Sequence, residues 1–483
     1  MSADPQLAAK LDQHGQGHLL RWWDELDAAG RDRLVRDIRT LDLDRLDDLI
    51  KRLVFADEIS APDPSQVRAV SVSRLPRTDA ERVARRHAAE LGETALAAGQ
   101  VGVVLVAGGQ GTRLGFDGPK GTYPIGPVSA ASLFQIHCEK ILALSRRHGK
   151  TIPLYVMTSP DNHADTTRFF AEHKNFGLPH VRLFVQGQMP AVDRATGKIL
   201  LAAKDHIALS PDGHGGTLAA LATPGEDGSP SCLVEMREQG IRTIFYFQVD
   251  NPLVQIADPA FLGLHRQAGA EVSFKVVEKI HPNERVGVVV EVGGRPQVIE
   301  YSDLPPELAE RREPEGHLEL WAGSIAIHIF ERAFIERIVA EAKLPFHRAI
   351  KKVKHLDSSG TSVDPKEPNA VKFETFIFDT LPLAERYAVV ECDRAVEFEP
   401  LKNATGPDSP ASVRQRMSDL FAGWLEAAGV KVPRRSDGTV PFGIEISPLF
   451  ALDPAELKAK VSAEFDVDGP IYLYETAGSS RAG

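Results

Sequence analysis

Apolar positions change their spacing twice along this chain. From Asp4 to about Ala97 they recur at three- and four-residue intervals, as in Leu19, Leu20, Trp22, Trp23 and Leu26, and again from Leu41 to Leu53 with charges between them. That period predicts amphipathic helices with one stripe packed on a core. Pro62-Asp63-Pro64-Ser65 interrupts the pattern as a loop. From Val101 onward, short β-branched runs predict strands over residues 101–106, 154–158, 181–185, 243–249, 271–277, 286–292 and 323–329. Helical stretches at 131–147 and 162–172 lie among them. Alternation of this kind predicts an α/β domain on a mostly parallel sheet. Near residue 384 the rhythm is lost, and Pro400 to Pro410 is polar and proline-punctuated. The expected organisation is a helical region over 1–97, a central α/β domain over 98–383 and a C-terminal domain over 384–483.

Composition narrows the classes. A chain of 483 residues suggests two or three domains. The net charge of −11 argues against a nucleic-acid coat, so any affinity for phosphate must be local. Cys138, Cys232 and Cys392 are far apart, without metal-ligand spacing, and read as buried thiols in a reducing compartment. No apolar run approaches the roughly 20 residues of a membrane span, and the first thirty residues lack an apolar signal core. The expectation is a cytoplasmic protein without nucleic-acid or membrane partners. His137, His148, His173 and His265 are scattered and read as surface or packing residues. The charge run at 307–315 reads as a solvated helix and turn.

The most specific chemistry follows the first strand, in VGVVLVAGGQGTRLGFDGPKGTYPIG. Gly108, Gly109, Gly111, Gly115, Gly118 and Gly121 allow a tight loop with N–H groups turned toward an anion, and Arg113 and Lys120 add fixed positive charge. This combination suits a polyphosphate. A Walker loop is excluded because Lys120 is followed by Gly121 rather than a hydroxyl residue. A dinucleotide fingerprint is excluded because Leu114 takes the third glycine position. Further on, the run TIFYFQV ends in Asp250-Asn251-Pro252. A carboxylate there can hold magnesium shared with phosphate oxygens, although the same tripeptide also serves as turn chemistry. Pro211-Asp212-Gly213-His214-Gly215-Gly216 is a second glycine-rich turn, suited to reading a planar base with backbone and one side chain.

LVAGGQGTRLG with PKGTYPIG, FVQGQMPA, PDGHGGTLAAL, FQVDNPLVQIADP, VEKIHPNERVGVVV, VIEYSDL, AVKFETFIFD, EFEPLKNA and EISPLF together resemble the UDP-sugar pyrophosphorylases. The resemblance is greatest to the eukaryotic-type UDP-N-acetylhexosamine pyrophosphorylases and spans nearly the whole chain. It implies a Rossmann-like, GT-A-like nucleotidyltransferase fold with N- and C-terminal flanking regions. It also implies a uridylyltransferase acting on UTP and a sugar 1-phosphate, most simply N-acetylglucosamine 1-phosphate, with Mg2+. By this resemblance Gly108, Gly109, Gly111 and Thr112 hold the nucleotide, while Gln186, Pro211, Gly213 and His214 face the uracil. Arg113 and Lys120 meet the phosphates, Lys372 and Lys402 reach phosphates from the C-terminal side, and Asp250 binds the metal. Gly287, Glu300, Tyr301 and Ser324 line the sugar pocket, with Lys372 grouped beside them.

Two departures stand out. His214 replaces the asparagine usual in the N-G-G turn, as in the UDP-glucose enzymes. The A-G-N-I-A-N-H block reads Ala322-Gly323-Ser324-Ile325-Ala326-Ile327-His328, so Ser324 and Ile327 replace both asparagines. Amide hydrogen bonds lost from a sugar pocket change discrimination. A UTP–glucose-1-phosphate uridylyltransferase, or a broad UDP-sugar pyrophosphorylase, is therefore the runner-up. An NAD-dependent oxidoreductase fails on Leu114 and on the lack of a suitable acid after the second strand. A catalytically inactive nucleotide-binding protein is disfavoured by Arg113, Lys120, Asp250 and Lys402. The expected assembly is a monomer or homodimer.

Overall fold

The computed structural model describes residues 3–55, 63–225, 227–341, 344–476 and 479–482. The chain forms two compact units, neither continuous in sequence. The larger takes Pro62–Val185, Leu221–Ala342 and Thr380–Gly483, and the smaller takes Met1–Ala61, Gln186–Ala220 and Lys343–Asp379.

A ten-stranded sheet organises the larger unit. Its strands in chain order are β1 Val67–Ala69, β2 Val101–Val106, β3 Leu154–Thr158, β4 Val181–Val185, β5 Thr243–Gln248, β6 Val272–Glu278, β7 Val288–Val292, β8 Arg295–Ile299, β9 Ala322–Glu331 and β10 Tyr387–Glu391. They lie in the order β1-β7-β9-β5-β2-β3-β4, with β8 on β7, and with β6 pairing both β9 and β10. The run β5-β2-β3-β4 is parallel. It needs cover on both faces, and every residue of β3 is accordingly buried. β9 joins antiparallel to β5 and β6, so the sheet mixes parallel and antiparallel strands within an α/β fold. Gln248 of β5 is in register with Val106 of β2. The segments after these two strands therefore leave the sheet at one level, beyond its carboxyl edge, where open α/β sheets hold ligands.

The predicted strands and helices of this region are present, with ends shifted by no more than two residues. β1 falls in the stretch read as helical; three residues on a sheet edge, Val67 opposite Val292, are too short to show a period. Pro62 of the predicted loop lies outside the described residues, and Asp63 caps a short 3₁₀ turn, Pro64–Gln66. The run at 307–315 is the expected short helix, Pro306–Ala309, and turn, with Glu307, Glu310, Arg312, Glu313 and Glu315 exposed. Leu308 and Ala309 are buried, and Arg311 pairs with Glu319 at 2.6 Å. After β10, the helix Pro410–Ala427 packs with Ile444–Ile446 and Ile471–Thr476 around Leu425, Ile444, Leu457 and Leu473.

In the smaller unit the helices Pro5–Gln13, Ala28–Arg39 and Leu43–Leu49 bury Leu11, Leu34, Ile38 and Leu46 in one cluster with Val192, Leu201, Val371 and Phe373. Val192, Val371 and Phe373 belong to a three-stranded antiparallel sheet of Phe346–Lys351, Ala370–Thr375 and Val192–Asp193. Asp4, Asp27 and Asp42 cap the three helices through their carboxylates, each worth about 1 kcal/mol. The three cysteines are buried. Among the described residues no helix is long and apolar enough to cross a membrane.

Candidate functional site

In the larger unit the glycine loop after β2 is pinned by its own backbone. Gln110 bridges Pro119, the Gly111 N–H donates to the Gly118 carbonyl at 2.9 Å, and the Lys120 N–H donates to the Gly109 carbonyl at 3.0 Å. Buried Asn162 ties the base of the loop down, donating to the Ala107 carbonyl at 2.9 Å. Between these ties Thr112–Leu114 makes one 3₁₀ turn that buries Leu114 and leaves Thr112 and Arg113 exposed. Gly108, Gly109 and Gly111 lie on the same loop. Lys120 opens the next turn, and its Nζ lies 3.5 Å from Asp250 Oδ2. Both side chains are largely buried, at 13% and 14% exposure.

Asp250 reaches this position because β5 is in register with β2. Val249 N–H still donates to the Val106 carbonyl, so Asp250 is the first residue past the sheet. Its own carbonyl accepts from Leu401 N–H at 2.8 Å, which brings Lys402 alongside. Lys402 N–H is in turn held by the Asp408 carbonyl at 2.8 Å. Burial pushes the Asp408 carboxyl up; Lys402 opposes this, while Asp250 and Glu284 reinforce it. Lys120, Asp250 and Lys402 thus converge, and Asp408 and Glu284 belong to the same electrostatic group. Neither acid carries a sequence signal that separates it from ordinary loop residues.

The sugar-pocket candidates form a second cluster in this unit. Ser324 N–H donates to the Gly287 carbonyl at 2.8 Å, and a Cβ on Gly287 would stand 3.1 Å from Glu300 Oε1. Tyr301 is half exposed at 49% and lines a cavity of about 260 Å³ with Lys279, Glu284, Arg285 and Leu304. The two asparagine replacements separate here. Ser324 is half-buried, whereas Ile327 is 1% exposed and packs in the main apolar cluster with Ile325 and Ile329. The β6–β9 register shifts between Phe274 and Val276, with Ala326 at φ +55°, and this bulge re-aims the strand around Ile327.

Gln186, Pro211, Gly213, His214 and Lys372 belong to the smaller unit. Gln186 Nε2 donates to the Gly213 carbonyl at 2.6 Å and to Asp212 Oδ1 at 3.2 Å, while Pro211 pairs with Gln188. The Asp212 carbonyl accepts from Thr375 N–H at 2.7 Å. His214 Nδ1 accepts the Ile377 N–H at 3.1 Å, which leaves the proton on Nε2. Phe376 stacks on the imidazole and Phe378 meets it edge-on, at 5.4 and 5.6 Å. Burial, with a smaller contribution from His347, pushes the His214 pKa down to about 4. A neutral imidazole with a fixed N–H donor results, suited to a carbonyl acceptor such as a pyrimidine presents. Lys372 lies on Ala370–Thr375 opposite Ala349, half-buried.

Among the described residues no cluster of three or more His, Cys, Asp or Glu could hold a metal by protein ligands alone. His148 lies 3.2 Å from Glu93, His173 is exposed, and His265 is buried against Ser273. His137 is more than packing. It is fully buried and donates from Nε2 to the Val249 carbonyl at 3.0 Å, directly before Asp250.

The family model described as UTP–glucose-1-phosphate uridylyltransferase matches residues 54–428. The chain is 37% identical to the human UDP-N-acetylhexosamine pyrophosphorylase-like protein 1, over 98% of each chain. It is 35% identical to the Saccharomyces cerevisiae UDP-N-acetylglucosamine pyrophosphorylase, over 94% of this chain and 97% of the yeast protein. The solved structure of the Trypanosoma brucei UDP-N-acetylglucosamine pyrophosphorylase superposes with a TM-score of 0.81 at 26% identity, over 97% and 99% of the two chains. A Leishmania major UDP-glucose pyrophosphorylase, at 16% identity and a TM-score of 0.60, shares the fold. By these matches the chain belongs to the UTP–glucose-1-phosphate uridylyltransferase family, the UDP-sugar pyrophosphorylases.

Proposed function

We propose that this chain transfers the uridylyl group of UTP to a sugar 1-phosphate, preferring N-acetylglucosamine 1-phosphate. The observation that supports this best is the 3.5 Å approach of Lys120 to Asp250 where β2 and β5 end, on a glycine loop suited to phosphate. Relatives named for UDP-N-acetylglucosamine support the choice of sugar.

The chemistry asks little of acid–base groups. An ionised oxygen of the sugar phosphate forms a bond to the α-phosphorus of UTP, the bond to the bridging oxygen breaks, and pyrophosphate departs with that electron pair. No proton moves, so the work is positioning and neutralising charge. Arg113, Lys120 and Lys402 supply fixed cations. Asp250 fits Mg2+: it is a single carboxylate beside cations, as when this ion is held by one or two carboxylates and by substrate phosphates. When bound there, the ion would spread the negative charge of the phosphates. Gln186, Pro211, Gly213 and His214 would read the uracil, with Nε2–H of His214 as donor. Gly287, Glu300, Tyr301 and Ser324 would face the sugar, and Lys372 a phosphate.

The glucose 1-phosphate reading keeps support from His214 and from the loss of an amide at Ser324. Pyrophosphate release across a panel of sugar 1-phosphates and nucleoside triphosphates, with and without Mg2+, decides the matter. UTP with N-acetylglucosamine 1-phosphate should lead, and Mg2+ should be required. Preference for another triphosphate would overturn the uridylyl assignment, and a lead for glucose 1-phosphate would move the sugar to the runner-up.

A further inference from the structure

The helix Leu133–His148 begins just after the glycine loop, capped by Ser132 and with Leu133 N–H donating to the Tyr123 carbonyl at 3.2 Å. Three of its side chains reach the two phosphate-side segments. Phe134 lies directly under Gly121, where a Cβ would fall 2.2 Å from the ring. One turn on, His137 donates to the Val249 carbonyl at 3.0 Å, its ring edge-to-face with Phe247 of β5 at 4.9 Å. Three residues later Lys140 Nζ donates to the carbonyls of Pro252 at 2.6 Å and Val254 at 2.9 Å. Residues three apart share a helix face, so the pair brackets Asp250 from one rigid element. Asn251 completes the frame, donating to the Glu397 carbonyl at 2.7 Å.

We propose that His137 and Lys140 are positioning residues, which hold the Asp250 carboxylate at its place beside Lys120 by gripping the backbone carbonyls on both sides of it. This rests on the uridylyl-transfer reading, in which Lys120 and Asp250 act on one polyphosphate and its metal. The same helix seats Phe134 under the Lys120 turn, so it sets the separation of the two groups from both directions. Neither positioning residue touches the reactants. Each acts through the carbonyls of buried residues, Val249, Pro252 and Val254, where a lost hydrogen bond is costly.

The test compares the full chain with Lys140→Met, Lys140→Arg, His137→Leu, Asp250→Asn and Leu457→Ala. The last removes a buried side chain of the C-terminal apolar cluster, away from residues 249–254. Three quantities are read: Mn2+ affinity in the presence of UTP by electron paramagnetic resonance, kcat with KM for UTP, and melting temperature. Lys140→Met and His137→Leu should weaken Mn2+ binding toward the Asp250→Asn level and lower kcat about 10- to 100-fold, the scale of a 1 Å misplacement, with KM for UTP changed far less. Lys140→Arg, which keeps donors, should recover much of both. Leu457→Ala should lower the melting temperature and leave Mn2+ affinity alone. Wild-type Mn2+ affinity and kcat in Lys140→Met overturn the proposal, as does an equal loss of affinity in Leu457→Ala, or a wild-type chain that binds no Mn2+ with UTP. If the wild type binds Mn2+ and UTP yet releases no pyrophosphate, the reaction reading fails, and the affinity comparison still decides the clamp.

Discussion

Each unit has a glycine-rich turn, and Gly213 in one and Gly109 in the other are glycine for different reasons. In the turn at 211–216 glycine makes room for the protein itself. Gly213 sits at φ +85°, and a Cβ there would stand 2.3 Å from the Thr375 carbonyl oxygen; one on Gly216 would stand 2.0 Å from Asp212 Oδ1. In the loop at 108–121, a Cβ on Gly109 would meet no atom within 4 Å. The fold does not need glycine at 109. The first turn is a packed wall that fixes one neutral imidazole, and the second is a rail that presents charge. Stability and activity should therefore separate when each is altered.

The largest effect should come from the charges on the rail. Lys120→Ala and Arg113→Ala should each lower kcat by about 10²–10³, the loss of roughly 3–4 kcal/mol seen when one preorganised donor is removed. Melting temperature should change little for Arg113→Ala, whose side chain is exposed. Near-normal turnover in both variants would show that the charges on this loop do not act on the reacting phosphates. The wall should respond in the opposite sense. Gly213→Ala forces a side chain into the left-handed region and against a backbone oxygen, and should cost about 1–3 kcal/mol, read as a lower unfolding midpoint in denaturant.

His214 allows the wall to be tested by pH. Its pKa lies at about 4 in the folded chain, below the ordinary 6.5, so the unfolded chain takes up its proton first as pH falls. Its contribution to stability is complete above pH 6.5 and is lost as pH drops toward 4, by about 1.4 kcal/mol per unit. His137, pushed down to about 3 mainly by burial, adds a loss of the same sign in the larger unit. His214→Asn keeps an acceptor for the Ile377 N–H and removes one of the two titrations. Between pH 6.5 and 5.5 its stability should fall by about 1 kcal/mol less than that of the wild type. An unchanged slope would mean that the imidazole is not held neutral by its aromatic neighbours.

The rail was more legible in the sequence than the wall. Continuous β-branched runs mark β2 and β5, and glycine with Arg113 and Lys120 marks the phosphate loop. The 3.5 Å approach of Lys120 to Asp250 depends on the register of two strands 137 residues or more apart, which no local pattern carries. The grip of His137 and Lys140 on backbone carbonyls is tertiary in the same way, and so is the discontinuous composition of both units. Ile327 is a different case. It replaces a polar family residue and so draws attention to a sugar contact, but the alternation of Ile325, Ile327 and Ile329 already marks the core face, where all three are buried.

The smallest stability change separates rail from wall most sharply. Gly109 has a backbone that a side chain can adopt and open space where its Cβ would go. Gly→Ala at such a position usually stabilises, by about 0.4–1 kcal/mol, because the unfolded chain loses freedom. Gly109→Ala should therefore melt at or slightly above the wild-type temperature. If the loop presents its backbone to phosphate at close range, the added methyl group must also lower kcat/KM for UTP, because close backbone approach is what the missing side chain allows. A variant that is both more stable and less active would mark Gly109 as kept for the ligand. A variant with undiminished kcat/KM would show that the polyphosphate does not approach the loop here, and would leave Lys120, Asp250 and Lys402 as the contacts that define the phosphate end of the site.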